Sequence, residues 1–258
     1  MHTVAPSDAQ PDASSNASSD PAHAADAAAG ALPGGAAAPV ARVAVAGATG
    51  YTGQELLRLL SRHPAVALTA AMSSGQTGAS SRRLPALGHL WNGTIVPLAP
   101  AALASDVDLV FLALPDSVAA ELAPSLVEAG VRVIDLSGAF RLRSEDARAR
   151  WYPETHALPG GLAYGLTERQ RGAVARAQLV ANPGCYPTAT LLAVQPLVEA
   201  GLLVPDTDII VDAKSGVSGA GKTPSERTHF SEIHGSVAAY GVFGHRHGAE
   251  IEQGLGQG

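Results

Sequence analysis

Val40-Ala41-Arg42-Val43-Ala44-Val45, followed almost at once by Gly47-Ala48-Thr49-Gly50-Tyr51-Thr52-Gly53, decides the fold. The first stretch is apolar apart from one arginine and reads as a buried strand. The glycines then predict a turn, and Gln54 to Arg62 predict a helix stopped by Pro64. Dinucleotide-binding folds place their phosphate loop between a first strand and a first helix. Glycines let backbone N–H groups approach a pyrophosphate there, and the helix N-terminus favours its charge. The spacing is GxxGxxG rather than GxGxxG, and a tight structural turn is the competing reading.

Outward from this point the pattern repeats. Val66 to Met72, Asp108 to Leu114 and Val131 to Leu136 read as further strands, and Ser117 to Ala129 as a helix closed by Gly130. Strands that are almost continuously apolar and alternate with helices imply a parallel sheet covered on both faces. The expected class is α/β, a doubly wound dinucleotide-binding domain over residues 39–184, with a catalytic domain over 185–258. Residues 1–38 are dominated by Ala, Ser, Asp, Pro and Gly, without Phe, Trp or Tyr, too poor in apolar surface to offset the entropy of ordering. They are expected to be a disordered tail, and they resemble neither a signal nor a transit peptide.

Composition excludes several function classes. The net charge of -6 gives no basic footprint for nucleic acid. No apolar run approaches the roughly 20 residues needed to span a bilayer. Cys185 is the only cysteine, which rules out an internal disulfide and fits a reducing, cytoplasmic setting.

The second strand ends Ala70-Ala71-Met72-Ser73-Ser74, without the Asp or Glu that binds a ribose 2′-hydroxyl in NAD sites. Hydroxyls at Ser73 and Ser74 with Arg82 and Arg83 beyond suit a 2′-phosphate, so the expected cofactor is NADP. Leu179 to Thr188 reads as a strand running into a turn, with a helix from Thr188 to Ala200 and a kink at Pro196. Cys185 then lies at or just before a helix N-terminus, where the dipole and free amides favour a thiolate nucleophile. An inert packing cysteine is the competing reading.

His245-Arg246-His247 with Glu250 forms a dense polar group. HxHxxE offers metal ligands, but no further cluster completes a zinc shell, and no metal is expected. The alternative is acid/base work at a thioester, with Arg246 holding an anionic substrate and Glu250 orienting a ring. His156, His229 and His234 read as isolated surface residues. Gly216 to Thr223 matches the P-loop pattern GxxxxGK[ST] after an expected strand, Asp208 to Ala213. The polar Pro224-Ser225-Glu226-Arg227 that follows makes a poor P-loop helix, and no strand ending in Asp follows to hold magnesium. A Gly/Ser loop serving a dinucleotide or substrate phosphate fits better.

Taken with Asp135 to Leu142, Tyr164-Gly165-Leu166, Asn182 to Pro187, Ser215 to Gly221, His229-Phe230 and Ala239-Tyr240, these motifs closely resemble the N-acetyl-gamma-glutamyl-phosphate reductases. Those are arginine-biosynthesis enzymes related to the aspartate-semialdehyde dehydrogenases. The resemblance implies Cys185 as nucleophile and His245 as acid/base. It implies that Arg141, His247 and Tyr240, with Ser137 beside them, hold an acyl phosphate substrate that releases inorganic phosphate. Gly47, Thr49, Gly50, Tyr51, Thr52, Gly53, Ser73, Ser74, Ser215, Gly216 and Gly219 would meet NADP, and a homo-oligomer is implied. Two departures stand out: Ser137-Gly138-Ala139 lacks the family's acid, and His247-Gly248-Ala249-Glu250 replaces its histidine-threonine-proline-glutamate. Family members also continue well past position 258, so an incomplete α+β catalytic domain is expected. The alternatives are a reductase for the one-carbon-longer aminoadipyl phosphate, or a module that binds NADP without catalysis.

Overall fold

Seven parallel strands form one sheet in the computed structural model, which describes residues 41–73, 83–204 and 207–256. The tail over 1–38, Val40, Ser74 and Arg82 lie outside the described residues. The strands are β1 (Ala41–Ala46), β2 (Val66–Ser73), β3 (Ile95–Pro97), β4 (Leu109–Leu112), β5 (Arg132–Asp135), β6 (Leu162–Tyr164) and β7 (Leu179–Ala181). Their order is β3-β2-β1-β4-β5-β7-β6, so the chain reverses direction across the sheet between β1 and β4. In doubly wound sheets a ligand crevice opens beyond the carboxyl ends of the strands at such a point. Because every strand runs the same way, the residues that follow β1, β4, β5, β6 and β7 all emerge on one edge.

Helices cover both faces: α1 (Tyr51–Leu60), α2 (Pro100–Asp106), α3 (Asp116–Glu128), α4 (Glu145–Trp151), α5 (Thr167–Arg176) and α6 (Cys185–Glu199). The short α7 (Phe230–Ile233) and α8 (Arg246–Gly254) come later. Side chains alternate across β1, and that alternation divides the core. Ala44 and Ala46 join Leu112, Leu122, Leu126 and Val133 on one face, while Val45 packs with Leu57, Leu87 and Ile95 on the other. This is the doubly wound α/β class expected.

Three boundaries differ from expectation for identifiable reasons. Helix α1 begins at Tyr51, inside the glycine run, because Gly53 packs its bare Cα against the turn. Helix α6 begins at Cys185 rather than Thr188. Pro187 sits in its first turn, where no intrahelical partner awaits an N–H and proline is tolerated. The expected strand at 208–213 does not form: these residues are exposed and pair with no strand among the described residues. A β-prone run without a neighbour has nowhere to place its backbone donors and acceptors. The edge strand β6, three residues long, gave too short a pattern to read.

Candidate active site

The glycine turn is built by close approach. Gly47 has φ +92°, and a Cβ there would lie 2.0 Å from the Ala113 carbonyl oxygen after β4. The N–H groups of Gly47 and Ala48 both donate to the Met72 carbonyl at 2.8 Å. A Cβ on Gly53 would sit 2.2 Å from the Gly47 carbonyl, so α1 packs directly on the turn. Gly50, the N-cap of α1, is different: its nearest obstacle is 3.5 Å away. Its surroundings are open, beside the unpaired N–H groups of Tyr51, Thr52 and Gly53 that any helix leaves at its start. One glycine makes the bend, one seats the helix, and at the third a Cβ would meet only an ordinary contact.

A second segment reaches this turn. Lys222 Nζ donates to the Thr49 carbonyl at 3.1 Å, beside Gln54 Nε2 donating to the same oxygen at 2.9 Å. The residue that completed the P-loop pattern therefore docks on the dinucleotide loop. Val217–Ala220 just before it form a 3-10 turn, and Ser215, Gly216 and Gly219 are exposed around it. Ser73 closes β2, and Arg83 is exposed.

Cys185 is the first residue of α6, with Gly184 as N-cap, and its side chain is exposed. Thr188 secures the turn, donating from both N–H and Oγ1 to the Gly184 carbonyl. Four rings gather beside the thiol. Tyr186 lies edge-on to His245 and His247, with centroids 5.4 and 5.7 Å apart, and its hydroxyl is 2.6 Å from that of Tyr240. The two imidazoles are 4.6 Å apart, and Tyr240 is 5.6 Å from His245. Burial, the neighbouring Tyr186 hydroxyl and the nearby Cys185 push the Tyr240 hydroxyl up to about 12. Sequence reasoning assigned nothing to Tyr186; its place directly after the nucleophile was the only signal.

The two histidines are not equivalent. His245 caps α8, its Nδ1 accepting from the His247 N–H at 3.1 Å, which leaves the neutral ring's proton on Nε2. Partial burial and then Arg246 lower its pKa. His247 is buried, and desolvation, followed by the charges of its neighbours, takes it down to about 3. It is a neutral ring packed on Gly184, where a Cβ would meet its Nε2 at 2.4 Å.

Other expected roles are redirected. Arg246 does not stand free for a substrate: its Nη1 donates to Asp116 Oδ2 at 2.9 Å, at the start of α3 where a carboxylate is favoured. Glu250 orients neither imidazole. It is buried, accepting from Tyr164 Oη at 2.8 Å and the Gly184 N–H at 3.0 Å, with Arg141 Nη1 3.7 Å away. Arg141 is itself 7% exposed, donating to the carbonyls of Asn182 and Leu136 at 2.8 Å each. Ser137 is likewise turned inward, donating to the Asp135 carboxylate at 2.7 Å; burial raises that carboxyl to about 6. The structure thus gathers Cys185, His245 and Tyr240 towards the surface with His247 buried against them, and Arg141 and Ser137 are buried as well. His156, His229 and His234 are exposed, and the described residues contain no group of three His, Cys, Asp or Glu placed to hold a metal ion. Among them no helix is long and apolar enough to cross a membrane.

Residues 42–177 match the NAD binding domain of semialdehyde dehydrogenases, and residues 185–258 match the dimerisation domain of the same enzymes. The chain is 48% identical over 218 residues to N-acetyl-gamma-glutamyl-phosphate reductase of Halalkalibacterium halodurans, covering 83% of this chain and 63% of that protein. It is 50% identical over 217 residues to the reductase of the same name from Geobacillus stearothermophilus, covering 83% and 62%. Aspartate semialdehyde dehydrogenase II from Vibrio cholerae, solved with ASA, aligns with a TM-score of 0.45 at 23% identity over 62% of this chain and 47% of that one. The chain therefore spans a little under two thirds of the length of the curated relatives it matches. With a family model covering more than half of its residues, on the same strands and glycine turn described above, the chain belongs to the semialdehyde dehydrogenase family.

Proposed function

We propose that the chain reduces N-acetyl-gamma-glutamyl phosphate to N-acetylglutamate 5-semialdehyde with NADPH, through a thioester on Cys185. One observation carries the reading: the lone thiol stands exposed at the first position of α6, and Tyr186, next to it in the chain, lies edge-on to His245 at 5.4 Å. The relatives' names supply the substrate. The cofactor fits the residues present. Gly50 leaves open space over the α1 N-terminus, Lys222 brings a cation to the same turn, and β2 ends in Ser73 with no acid to repel a 2′-phosphate. When bound, NADPH supplies the hydride.

Cys185 Sγ attacks the acyl carbon, the carbon–oxygen bond to phosphate breaks, and inorganic phosphate leaves with the bonding pair. The free amides of the first α6 turn stabilise the thiolate before this step. The His245 Nε2–H donates a hydrogen bond to the thioester oxygen as that oxygen gains charge. The oxyanion then collapses to the carbonyl as the carbon–sulfur bond breaks, restoring the thiolate and freeing the aldehyde while His245 keeps its proton. His247 does not share this work, because its ring is buried and packed against Gly184. Tyr240 and Tyr186 wall the site and offer hydroxyls to the substrate. A homo-oligomer, proposed on the dimerisation-domain match, and a cytoplasmic setting complete the reading.

Cys185→Ser is the test. It should leave NADPH binding by fluorescence titration unchanged and lower phosphate-dependent aldehyde oxidation on the order of 10³-fold or more. Activity that survives the change would remove the thioester from the mechanism.

A further inference from the structure

We propose that Glu250 is a positioning residue, holding the Gly184–Cys185 turn in register with His245. This rests on the reading of Cys185 and His245 as the reacting pair and adds the device that keeps them matched.

The nucleophile and the acid/base come from distant parts of the chain, α6 and α8, and something must fix one against the other. His247 and Glu250 are three residues apart on α8 and are its buried residues, so they share one face. That face grips Gly184 at two points. The His247 ring fills the space a side chain at Gly184 would occupy, and Glu250 Oε1 accepts the Gly184 N–H at 3.0 Å. The N–H of an N-cap lies outside the helix ladder, so it needs a partner from elsewhere. Glu250 provides it from the helix that His245 caps. Its carboxylate is 1% exposed and anchored in turn by Tyr164 Oη at the end of β6 and by Arg141, itself tied to Leu136 and Asn182. The chain of contacts runs from the carboxyl ends of β5, β6 and β7 through Glu250 to the residue preceding Cys185. Glu250 touches neither the reacting sulfur nor an imidazole nitrogen in any hydrogen bond given by the structure. Its effect is therefore on where Cys185 stands.

Glu250→Gln and Glu250→Ala in the full chain separate this from a general structural role. The amide oxygen of Gln still accepts from the Gly184 N–H and Tyr164 Oη; Ala accepts from neither. Glu250→Ala should lower kcat for aldehyde oxidation about 100-fold, the scale of a misplaced reacting group, with the NADPH dissociation constant unchanged. Amide exchange at Gly184, followed by NMR, should be roughly tenfold or more faster in Glu250→Ala and near the parent's rate in Glu250→Gln. Glu250→Gln should recover most of kcat. Tyr164→Phe, a milder change that keeps the ring, should shift both readouts in the same direction and covers the case of an Ala variant that does not fold. The proposal is overturned if Gln and Ala lower kcat equally, or if kcat in Glu250→Ala matches the parent. It is also overturned if Gly184 exchange ignores both substitutions. A parent chain without turnover would instead remove the reductase reading, and the Gly184 exchange rates would then decide on the latch alone.

Discussion

The sheet region and the stretch from residue 207 to 243 both contain large apolar side chains, and these end in opposite conditions. In the first, Val43, Val45, Leu57, Val110 and Leu112 are all at most 2% exposed. In the second, Ile210, Val237 and Phe243 are 89%, 90% and 106% exposed, and the apolar run at 208–213 forms no strand. Hydrophobicity is the same resource in both places. What differs is the presence of a neighbour. Most strands of the sheet are separated from a parallel partner by a crossover helix that covers one face, so local order and burial reinforce each other. Residues 208–213 have no partner among the described residues, and their propensity yields nothing by itself.

That contrast can be broken by substitution. Leu112→Ala, in the center of the larger core, should destabilise the chain by about 2–5 kcal/mol in urea denaturation. A loss below about 1 kcal/mol would mean that this core is far looser than its burial indicates. Next comes a pH effect. His247, near 3 in the folded chain against 6.5 for a free imidazole, is protonated more readily when unfolded. Unfolding therefore takes up a proton between these values, and stability is lost as pH falls from about 6.5 towards 3. His247→Gln lacks that uptake, so its stability should gain on the parent's as the solution is acidified. Asp135 works with the opposite sign, raised to about 6, but is common to both chains. A parent and variant whose difference stays constant from pH 7 to 4 would contradict the buried neutral ring.

Smaller effects belong to the exposed stretch. Lys222→Ala removes its hydrogen bond to the glycine turn, an exposed contact worth on the order of 0.5–1 kcal/mol. Limited proteolysis should then cut the 207–243 stretch faster while the sheet region resists as before. Equal cutting rates in variant and parent would show that Lys222 does not tether it. Ile210→Ser should change global stability by no more than about 0.5 kcal/mol, because a side chain already in water has little to lose. A cost comparable to that of Leu112→Ala would mean the stretch is covered in solution.

Much of the active site was legible in the same uneven way. Cys185, His245, His247 and Tyr240 could be named because reactive side chains in turns and helix starts stand out locally, and motif spacing ties them to a family. The structure gathers them. Arg246 and Glu250 could be picked out but not given correct jobs, and the burial of Arg141 and Ser137 was not legible. A charged residue near a reactive one looks the same in sequence whether it faces the substrate or a buried carbonyl. Arg141 has its guanidinium tied up within the protein, and Arg246 answers Asp116, 130 positions away. Tyr186 was passed over because its role arises from three rings brought to it by other segments.

The amino-acid order by itself determined the parallel sheet, the glycine turn and the placement of a lone thiol at a helix start. Each of these depends on residues within one or two elements, where period, glycine and proline act over a few positions. Only the tertiary structure decided that residues 208–213 form no strand and that His247 is a neutral packing ring. It alone decided that Glu250 takes hold of the backbone before Cys185 rather than an imidazole. Those outcomes depend on burial and on partners dozens of residues away, and a side chain's charge and contacts are set by the neighbours that the fold provides.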